Sequence, residues 1–324
     1  MFFKKFLIGQ LFLLSALFAK WERPDLHGNY VPWYTGSIFS TAGLNVPVGL
    51  FNLQPFIYYS GYYGTYSDQY RVKHSPYLHE IESQTLWKTG LAPFVDVEVI
   101  TQFFYRTRKN QSSFQVGDLP CTIGFQAHIT SFLDPIPSIR ITLQEIFPTG
   151  KYNNLNPKKL STEETGSGSF QTSLAINTQK IYYWNFNHPV RIRTNTNFTV
   201  PSKVSLKGFN AYGGGFGAKG KLFRGYNINF LFSPEISFTQ RWVITWDLIY
   251  QHTFRGSFHG NPGVLADGSK SKIQTVSQDF LQFAPALEYN FNANTGVLGG
   301  VWVNLFARNT SAFFSGIVSL TTVF

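Results

Sequence analysis

The amino-acid sequence predicts an all-β fold: a transmembrane antiparallel up-and-down β-barrel of about 12 strands, with an N-terminal strap or plug. Three observations predict this fold. The end of the chain alternates between apolar and polar residues, the composition combines few charges with many aromatic rings, and strand-like segments are joined alternately by short and long connections. A closed barrel accounts for all three observations together.

The C-terminal stretch 311–324 has the clearest strand pattern in the chain. Every second position from Ala312 to Phe324 forms a mostly apolar row, and the positions between them are mainly Ser and Thr. A period of two is that of a β-strand with two different faces. A last strand that ends in Phe resembles the signal by which outer-membrane barrels are recognised for assembly. We therefore predict an interaction with the barrel-assembly machinery through Val318, Leu320 and Phe324.

The composition also favours a barrel. Aromatic residues make up 18% of the chain and charged residues 14%, against about 25% charged residues in soluble proteins. Such a surface suits lipid contact and aromatic girdles. A mean hydropathy of −0.09 excludes a helical membrane protein. The single cysteine, Cys121, permits neither an internal disulfide nor a multi-cysteine metal site, and we expect no metal and no cofactor.

The N-terminal residues predict export. Lys4 and Lys5 precede an apolar stretch, 6–18, and Ala19 offers a small residue for cleavage, so 1–19 has the pattern of a signal peptide. We therefore expect the protein in the bacterial outer membrane.

The domain organisation follows from this boundary. Residues 20–47 are rich in proline and of mixed polarity, which argues against regular structure. This segment is either a strap in the periplasm or a plug in the barrel mouth. Residues 48–324 are predicted to form the barrel.

Twelve strand-like segments alternate with short turns and with five long connections at 61–76, 107–115, 148–168, 202–224 and 255–275. This alternation is that of a barrel with short periplasmic turns and long outer loops. Ten or fourteen strands also remain open. The predicted strands are 48–60, 77–88, 93–106, 116–131, 137–147, 169–184, 190–201, 225–238, 242–254, 276–290, 296–307 and 311–324.

The chain has a formal net charge of +10, and the basic residues are concentrated in the long connections, which hold fifteen Lys or Arg and four acidic residues. Two interpretations stay open: attraction of outer-membrane lipid and lipopolysaccharide or of anionic solutes, and solvated charge without a partner. Nucleic acid is not an expected partner, because an exported barrel rarely meets it.

Charged residues also occur on the inward faces that strand parity assigns. Because buried charges persist when they are paired, we interpret them as an ionic network across the lumen rather than a catalytic constellation. The predicted lumen charge network consists of Glu80, Glu82, Asp96, Glu98, His128, Arg140, Arg191, Arg193, Glu235, Asp247 and Glu288.

Several short runs, in order along residues 35–324, resemble the family of outer-membrane transporter-like barrels named after the meta-pathway of phenol degradation. They lie at 45–56, 116–119, 147–152, 165–172, 212–215 and 285–291. The resemblance implies an outer-membrane barrel and passage of hydrophobic or aromatic compounds.

The leading functional prediction is accordingly a channel or transporter for small molecules, including hydrophobic or aromatic ones. A structural or surface-interaction barrel without transport is the alternative. An outer-membrane enzyme is less supported, because no HxSNG run of the kind that surrounds a phospholipase nucleophile occurs in the sequence.

Overall fold

The computed structural model describes residues 32–131, 134–183 and 188–324, so the predicted signal peptide and residues 20–31 lie outside the described part. Sixteen strands occur in it. In chain order they are β1 (Phe51–Tyr66), β2 (Val72–Ala92), β3 (Val95–Arg108), β4 (Gln111–Val116), β5 (Leu119–His128), β6 (Ser138–Phe147), β7 (Gln171–Tyr182), β8 (Val190–Pro201), β9 (Val204–Lys207), β10 (Lys219–Phe223), β11 (Asn227–Ser237), β12 (Trp242–Thr253), β13 (Ser257–Asn261), β14 (Gln278–Asn290), β15 (Thr295–Arg308) and β16 (Ser311–Val323).

Thirteen of these strands form one closed antiparallel sheet in the order β2-β1-β16-β15-β14-β12-β11-β8-β7-β6-β5-β3-β4, and pairing of β2 with β3 completes the ring. β4 and β5 pair with the two halves of β3 and are separated only at Gly117 and Asp118, so they make one barrel strand. The result is the predicted barrel of 12 strands. In the described part of the chain, no helix is long and apolar enough to cross a membrane.

The last strand closes the barrel against the first. β16 and β1 pair from Asn52 opposite Val323 to Thr65 opposite Ser311. The amide and carbonyl of Phe324 both bond to Phe51, at 3.0 and 2.7 Å. The predicted facing is confirmed, because Val318 and Leu320 are exposed on the outer surface. Closure leaves neither strand with an open edge of unpaired backbone groups.

Alternation of side chains separates a lipid-facing row from a lumen-facing row along each barrel strand. In β12, Trp242 and Ile244 are exposed, whereas Val243, Thr245 and Asp247 are fully buried. The polar residues of the inner row are therefore enclosed by the barrel, as the sequence parity predicts.

Four predicted connections are wrong. The predicted long loop 107–115 is a tight turn at 109–110, because β4 extends the barrel wall. The predicted loop 61–76 is reduced to 67–71, between the extended β1 and β2. The predicted loop 202–224 contains β9 and β10, and the predicted loop 255–275 contains β13.

The three remaining long connections, 148–170, 202–226 and 254–277, pack into a single body, here called the outer cap. Strands β13, β10 and β9 form its sheet, and a one-turn 3-10 helix, Pro157–Lys159, lies in its first loop. The core of the cap is formed by buried Val204, Leu206 and Leu222. Two backbone bonds, from Asn154 to Lys207 at 3.2 Å and from Leu155 to Phe209 at 2.9 Å, join two of the loops.

Asp118 anchors the outer cap to the barrel wall. It lies at the break between β4 and β5 and accepts hydrogen bonds from the Gly150 amide at 2.9 Å and from the Ser167 amide at 2.8 Å. Both ends of the first cap loop are thus fixed by one carboxylate. Farther into the cap, burial raises the pKa of Tyr212 to about 12, against the opposing effect of Arg224.

Candidate functional site in the barrel lumen

The residues 32–46, here called the lumen segment, lie inside the barrel. At one end the Trp33 amide donates to the carbonyl of Gln240, in the turn between β11 and β12, at 3.1 Å. At the other end the Val46 amide donates to Asp96 of β3 at 3.0 Å. These attachment points are six strands apart around the ring. The lumen segment therefore crosses the full width of the barrel.

Three lumen carboxylates accept backbone amides from this segment. Glu288 accepts from the amide of Thr35 at 2.9 Å and from its hydroxyl at 2.8 Å, and Asp247 accepts from the Phe39 amide at 3.0 Å. Asp96 accepts the Val46 amide, as described above. Enclosed backbone amides need acceptors, and for an irregular segment these lumen side chains supply them.

Side-chain amides hold the middle of the lumen segment. Asn195 accepts from the Ser40 hydroxyl at 2.9 Å and from the Thr41 amide at 3.0 Å, and its own amide donates to the Thr41 carbonyl at 2.9 Å. Gln126 similarly accepts from the Asn45 amide at 2.7 Å and donates to the Gly43 carbonyl at 3.0 Å. The segment is thus bound through both its donors and its acceptors.

The first buried ion cluster forms around Asp96. Nη2 of Arg140 lies 2.6 Å from one carboxylate oxygen, and Nζ of Lys88 lies 3.2 Å from the other. The side chains of Arg140 and Asp96 are both 0% exposed. Arg140 also donates from Nε to the side-chain oxygen of Asn45 at 2.8 Å. This cluster therefore joins three barrel strands to the lumen segment.

The second buried ion cluster forms around Glu235. Arg191 donates to it from Nε at 2.8 Å, and Nε of Arg193 lies 3.1 Å from the same carboxylate. The guanidinium of Arg191 stacks over the ring of Tyr34, 4.1 Å from its centroid. Arg193 donates to the Ser40 carbonyl at 3.1 Å. Both arginines thus bind the lumen segment as well as the carboxylate.

The remaining predicted site residues lie outside these two clusters. Glu80 pairs with Arg106 and accepts from the Tyr62 hydroxyl at 3.0 Å, and Glu82 accepts from Gln102 at 3.4 Å. Glu98 faces the cavities described below.

His128 lies at the short-turn end of β5, where it pairs with Asp134 at 2.6 Å rather than with the network. A backbone hydrogen bond from Ile136, together with the one from His128, lowers the pKa of Asp134 against the effect of burial.

Sequence reasoning missed several members of this site. Lys88 was predicted at the boundary between a strand and a turn, but it lies within β2. It has the same strand parity as Glu80 and Glu82, and this parity could have identified Lys88 as a lumen residue. Asn195, Gln126 and Tyr34 are uncharged, so a search for charges could not select them.

Two cavities flank the lumen segment. The first, of about 380 Å³, has apolar side chains on β11 to β14 and hydroxyl or amide side chains on β5 to β8, among them Thr142, Ser173 and Asn177. The second, of about 440 Å³, extends from the segment toward the short-turn end of the barrel, where Asn52 and Asn294 line it. The side chains that line both are Phe39, Thr41, Glu98, Gln144 and Trp302.

The closed ring of 12 antiparallel strands, with short turns at one end and long loops at the other, defines an outer-membrane type of β-barrel. Among solved structures, the chain is similar to an outer membrane channel from Pseudomonas putida F1, with a TM-score of 0.68 and 13% identity over 89% of this chain and 100% of that one. At this identity the likeness shows the fold alone.

Two further solved structures are less similar to this chain. The NanC porin matches with a TM-score of 0.40 and 9% identity over 83% of this chain and 98% of that one, and the CymD monoaromatic hydrocarbon channel matches with 0.36 and 10% over 86% and 88%. No protein-family model and no curated protein matches the sequence. The resemblance to the phenol meta-pathway family stays a prediction.

Proposed function

We propose that this protein is a channel of the bacterial outer membrane for small solutes. The observation that carries the proposal is the pair of cavities on the two sides of the lumen segment. Five side chains line both cavities, so the two spaces adjoin each other beside Phe39 and Trp302. We infer that a solute entering from the outer-loop side passes the segment at this place on its way to the periplasmic end.

The chemistry of the lining supports a preference for solutes that contain an aromatic or apolar part. Leu231, Ile249 and Phe280 present apolar surface to the first cavity, and the rings of Phe39 and Trp302 continue it at 4.7 Å from each other. Hydroxyl and amide groups supply hydrogen bonds on the other side. An apolar patch that faces a larger number of hydroxyl and amide groups fits an aromatic solute with polar substituents.

The lumen segment is proposed to be a plug rather than a periplasmic strap. It spans the barrel and is bound by Glu288, Asp247, Asn195, Gln126 and Asp96. These contacts fix it across the lumen, and the passage is consequently reduced to the space beside Phe39 and Trp302. We expect a narrow, selective conductance rather than that of an open pore.

Liposome swelling tests the transport proposal. Because neutral aromatics cross lipid unaided, the probe is phenyl glucoside, compared with the smaller methyl glucoside and the larger maltose. Proteoliposomes are expected to swell faster in phenyl glucoside than in either of these two sugars, relative to protein-free liposomes. Absence of protein-dependent flux for either solute would overturn the channel and favour a structural or surface-interaction barrel.

A further inference from the structure

Five basic side chains that face the lumen are each in contact with a carboxylate. Lys88 and Arg140 contact Asp96, and Arg191 and Arg193 contact Glu235. Arg106 contacts Glu80 in the same way. Each of these five cations therefore has a direct acidic partner, although the whole chain carries a formal net charge of +10.

Glu98 is different from the other lumen carboxylates. It lines both cavities at the point where they meet. Lys88 lies directly opposite it in the pairing of β2 and β3, but the ammonium group of Lys88 is 3.2 Å from Asp96. Within residues 32–131, 134–183 and 188–324, no hydrogen bond or ion pair occupies the Glu98 carboxylate. Its carboxylate oxygens are thus open to a solute, while the Lys88 ammonium group acts on Glu98 electrostatically from the neighbouring strand.

Aromatic rings share this narrow region with Glu98. Phe39 and Trp302 line the same two cavities, and Trp302 is held by its Nε1 donating to Gln282 at 3.1 Å. The face of an aromatic ring carries partial negative charge and attracts ammonium groups. Glu82, which accepts only a 3.4 Å hydrogen bond from Gln102, lines the second cavity farther along the passage.

We propose that Glu98, with the rings of Phe39 and Trp302, forms a cation-binding constriction that selects organic ammonium solutes over organic anions. This inference rests on the proposed channel function and names its substrate class. A carboxylate beside aromatic faces complements both parts of an aromatic amine, its charge and its ring. In a passage with low-dielectric walls, an accessible carboxylate raises the local concentration of cations.

Planar-bilayer recordings test the proposal through the reversal potential in a salt gradient. The protein is expected to pass potassium several-fold better than chloride, and benzylammonium better than benzoate. Glu98→Gln should bring both permeability ratios toward one, while Glu98→Asp keeps the charge and should retain the preference.

Glu145→Gln is the matched control. Glu145 lies on the outward parity of β6 and accepts from the Thr172 hydroxyl at 2.6 Å, so its loss removes an equal charge without changing the lumen. It should leave the permeability ratios unchanged. Each variant is first checked for the folded, heat-modifiable form on gels.

The outcomes separate the two proposals. A folded protein without any conductance would overturn the channel. Anion preference in the unaltered protein, or ratios that Glu98→Gln does not change, would overturn the cation-binding constriction while leaving the channel in place. Benzylammonium should also quench the fluorescence of Trp302, which is measured as the difference between the unaltered protein and Trp302→Phe. This quenching should be lost in Glu98→Gln. The assay reports binding and does not require transport.

Discussion

Charged side chains are arranged differently in the lumen and on the outer cap. In the lumen, Arg140 and Asp96 are completely buried and paired at 2.6 Å. On the sheet of the cap, Lys207 lies directly opposite Lys219, and the three strands of that sheet contain no acidic residue. The comparison shows that the buried charges of these clusters have direct partners of opposite sign, whereas the lysines on the sheet of the cap have no acidic residue in that sheet.

The two lysines that lie opposite each other weaken the sheet of the cap. Like charges directly opposite each other destabilise a sheet, so these lysines oppose the folding of the cap that its apolar core stabilises. Attraction of lipopolysaccharide or anionic solutes by these lysines stays a prediction, beside the interpretation as solvated charge without a partner. The lumen charges, in contrast, fix the lumen segment in place.

The largest expected effect is the loss of the matched charge in the lumen. Asp96→Asn would leave Lys88 and Arg140 buried with weakened partners, and breaking such a buried pair costs about 3–5 kcal/mol. Urea unfolding in detergent or lipid should show this loss of stability. The control is Asp267→Asn, an exposed cap residue that bonds to Ser269. A loss no larger than in the control would contradict the role of the buried cluster.

The core of the outer cap should be the next most sensitive region. Leu222 is 0% exposed in that core, and Leu→Ala at such a position costs about 2–5 kcal/mol. Because the cap packs outside the barrel, Leu222→Ala should make the cap loops sensitive to protease while the barrel keeps its heat-modifiable migration. Leu305→Ala, at an exposed position of β15, serves as the control. Loss of both cap and barrel together would show that they fold as one unit.

Pairing the unmatched charges of the cap should have a smaller effect. Lys207→Glu places an acid opposite Lys219, and an opposite-charge pair across strands contributes roughly 0.2–1 kcal/mol. The cap should become slightly more resistant to protease, and binding of lipopolysaccharide vesicles should weaken and depend less on salt. Lys109→Glu makes the same charge change in the turn outside the sheet. An equal loss of binding in both variants would argue against a specific lysine face.

The smallest effect concerns one exposed ion pair of the cap. Burial tends to raise the pKa of Glu163, but hydrogen bonds from Lys151, at 2.7 Å, and from the Asn156 amide lower it below its ordinary value. Since the folded pKa is depressed, the pair stabilises the loop above about pH 4.3, the ordinary glutamate value, and this contribution disappears as the pH falls through the folded pKa.

The free energy at stake in that pair is at most about 1 kcal/mol, because Lys151 is partly exposed. Hydrogen exchange of the first cap loop should therefore rise slightly on acidification, and Lys151→Met should reduce this pH dependence. An unchanged pH dependence in Lys151→Met would contradict the assignment to this pair.

The strand pattern was predictable because alternation is a local property of the sequence. The facing of Val318 and Leu320, and the pairing of β16 with β1, followed from it. The strands β4, β9, β10 and β13 were not predicted, because each is only four to six residues long and too short to show the alternation that marks a barrel strand.

The site was predictable only in its charged members. Parity selected Asp96, Arg140, Arg191 and Glu235, which do face the lumen. Which of them pair could not be derived, because the pairs depend on barrel register and on a segment that arrives from elsewhere in the chain. The role of Asn195 could not be derived either, because it depends on the contact of Asn195 with Thr41 of the lumen segment.

The most direct test of the account is the single-channel conductance after removal of the lumen segment. Deletion of residues 20–44 removes nearly all of it, whereas a control deletion of residues 20–31 keeps it. We expect a clearly larger conductance after deletion of residues 20–44 than after deletion of residues 20–31. Equal conductance of folded, bilayer-inserted protein in both deletions would contradict a plug and restore the periplasmic strap.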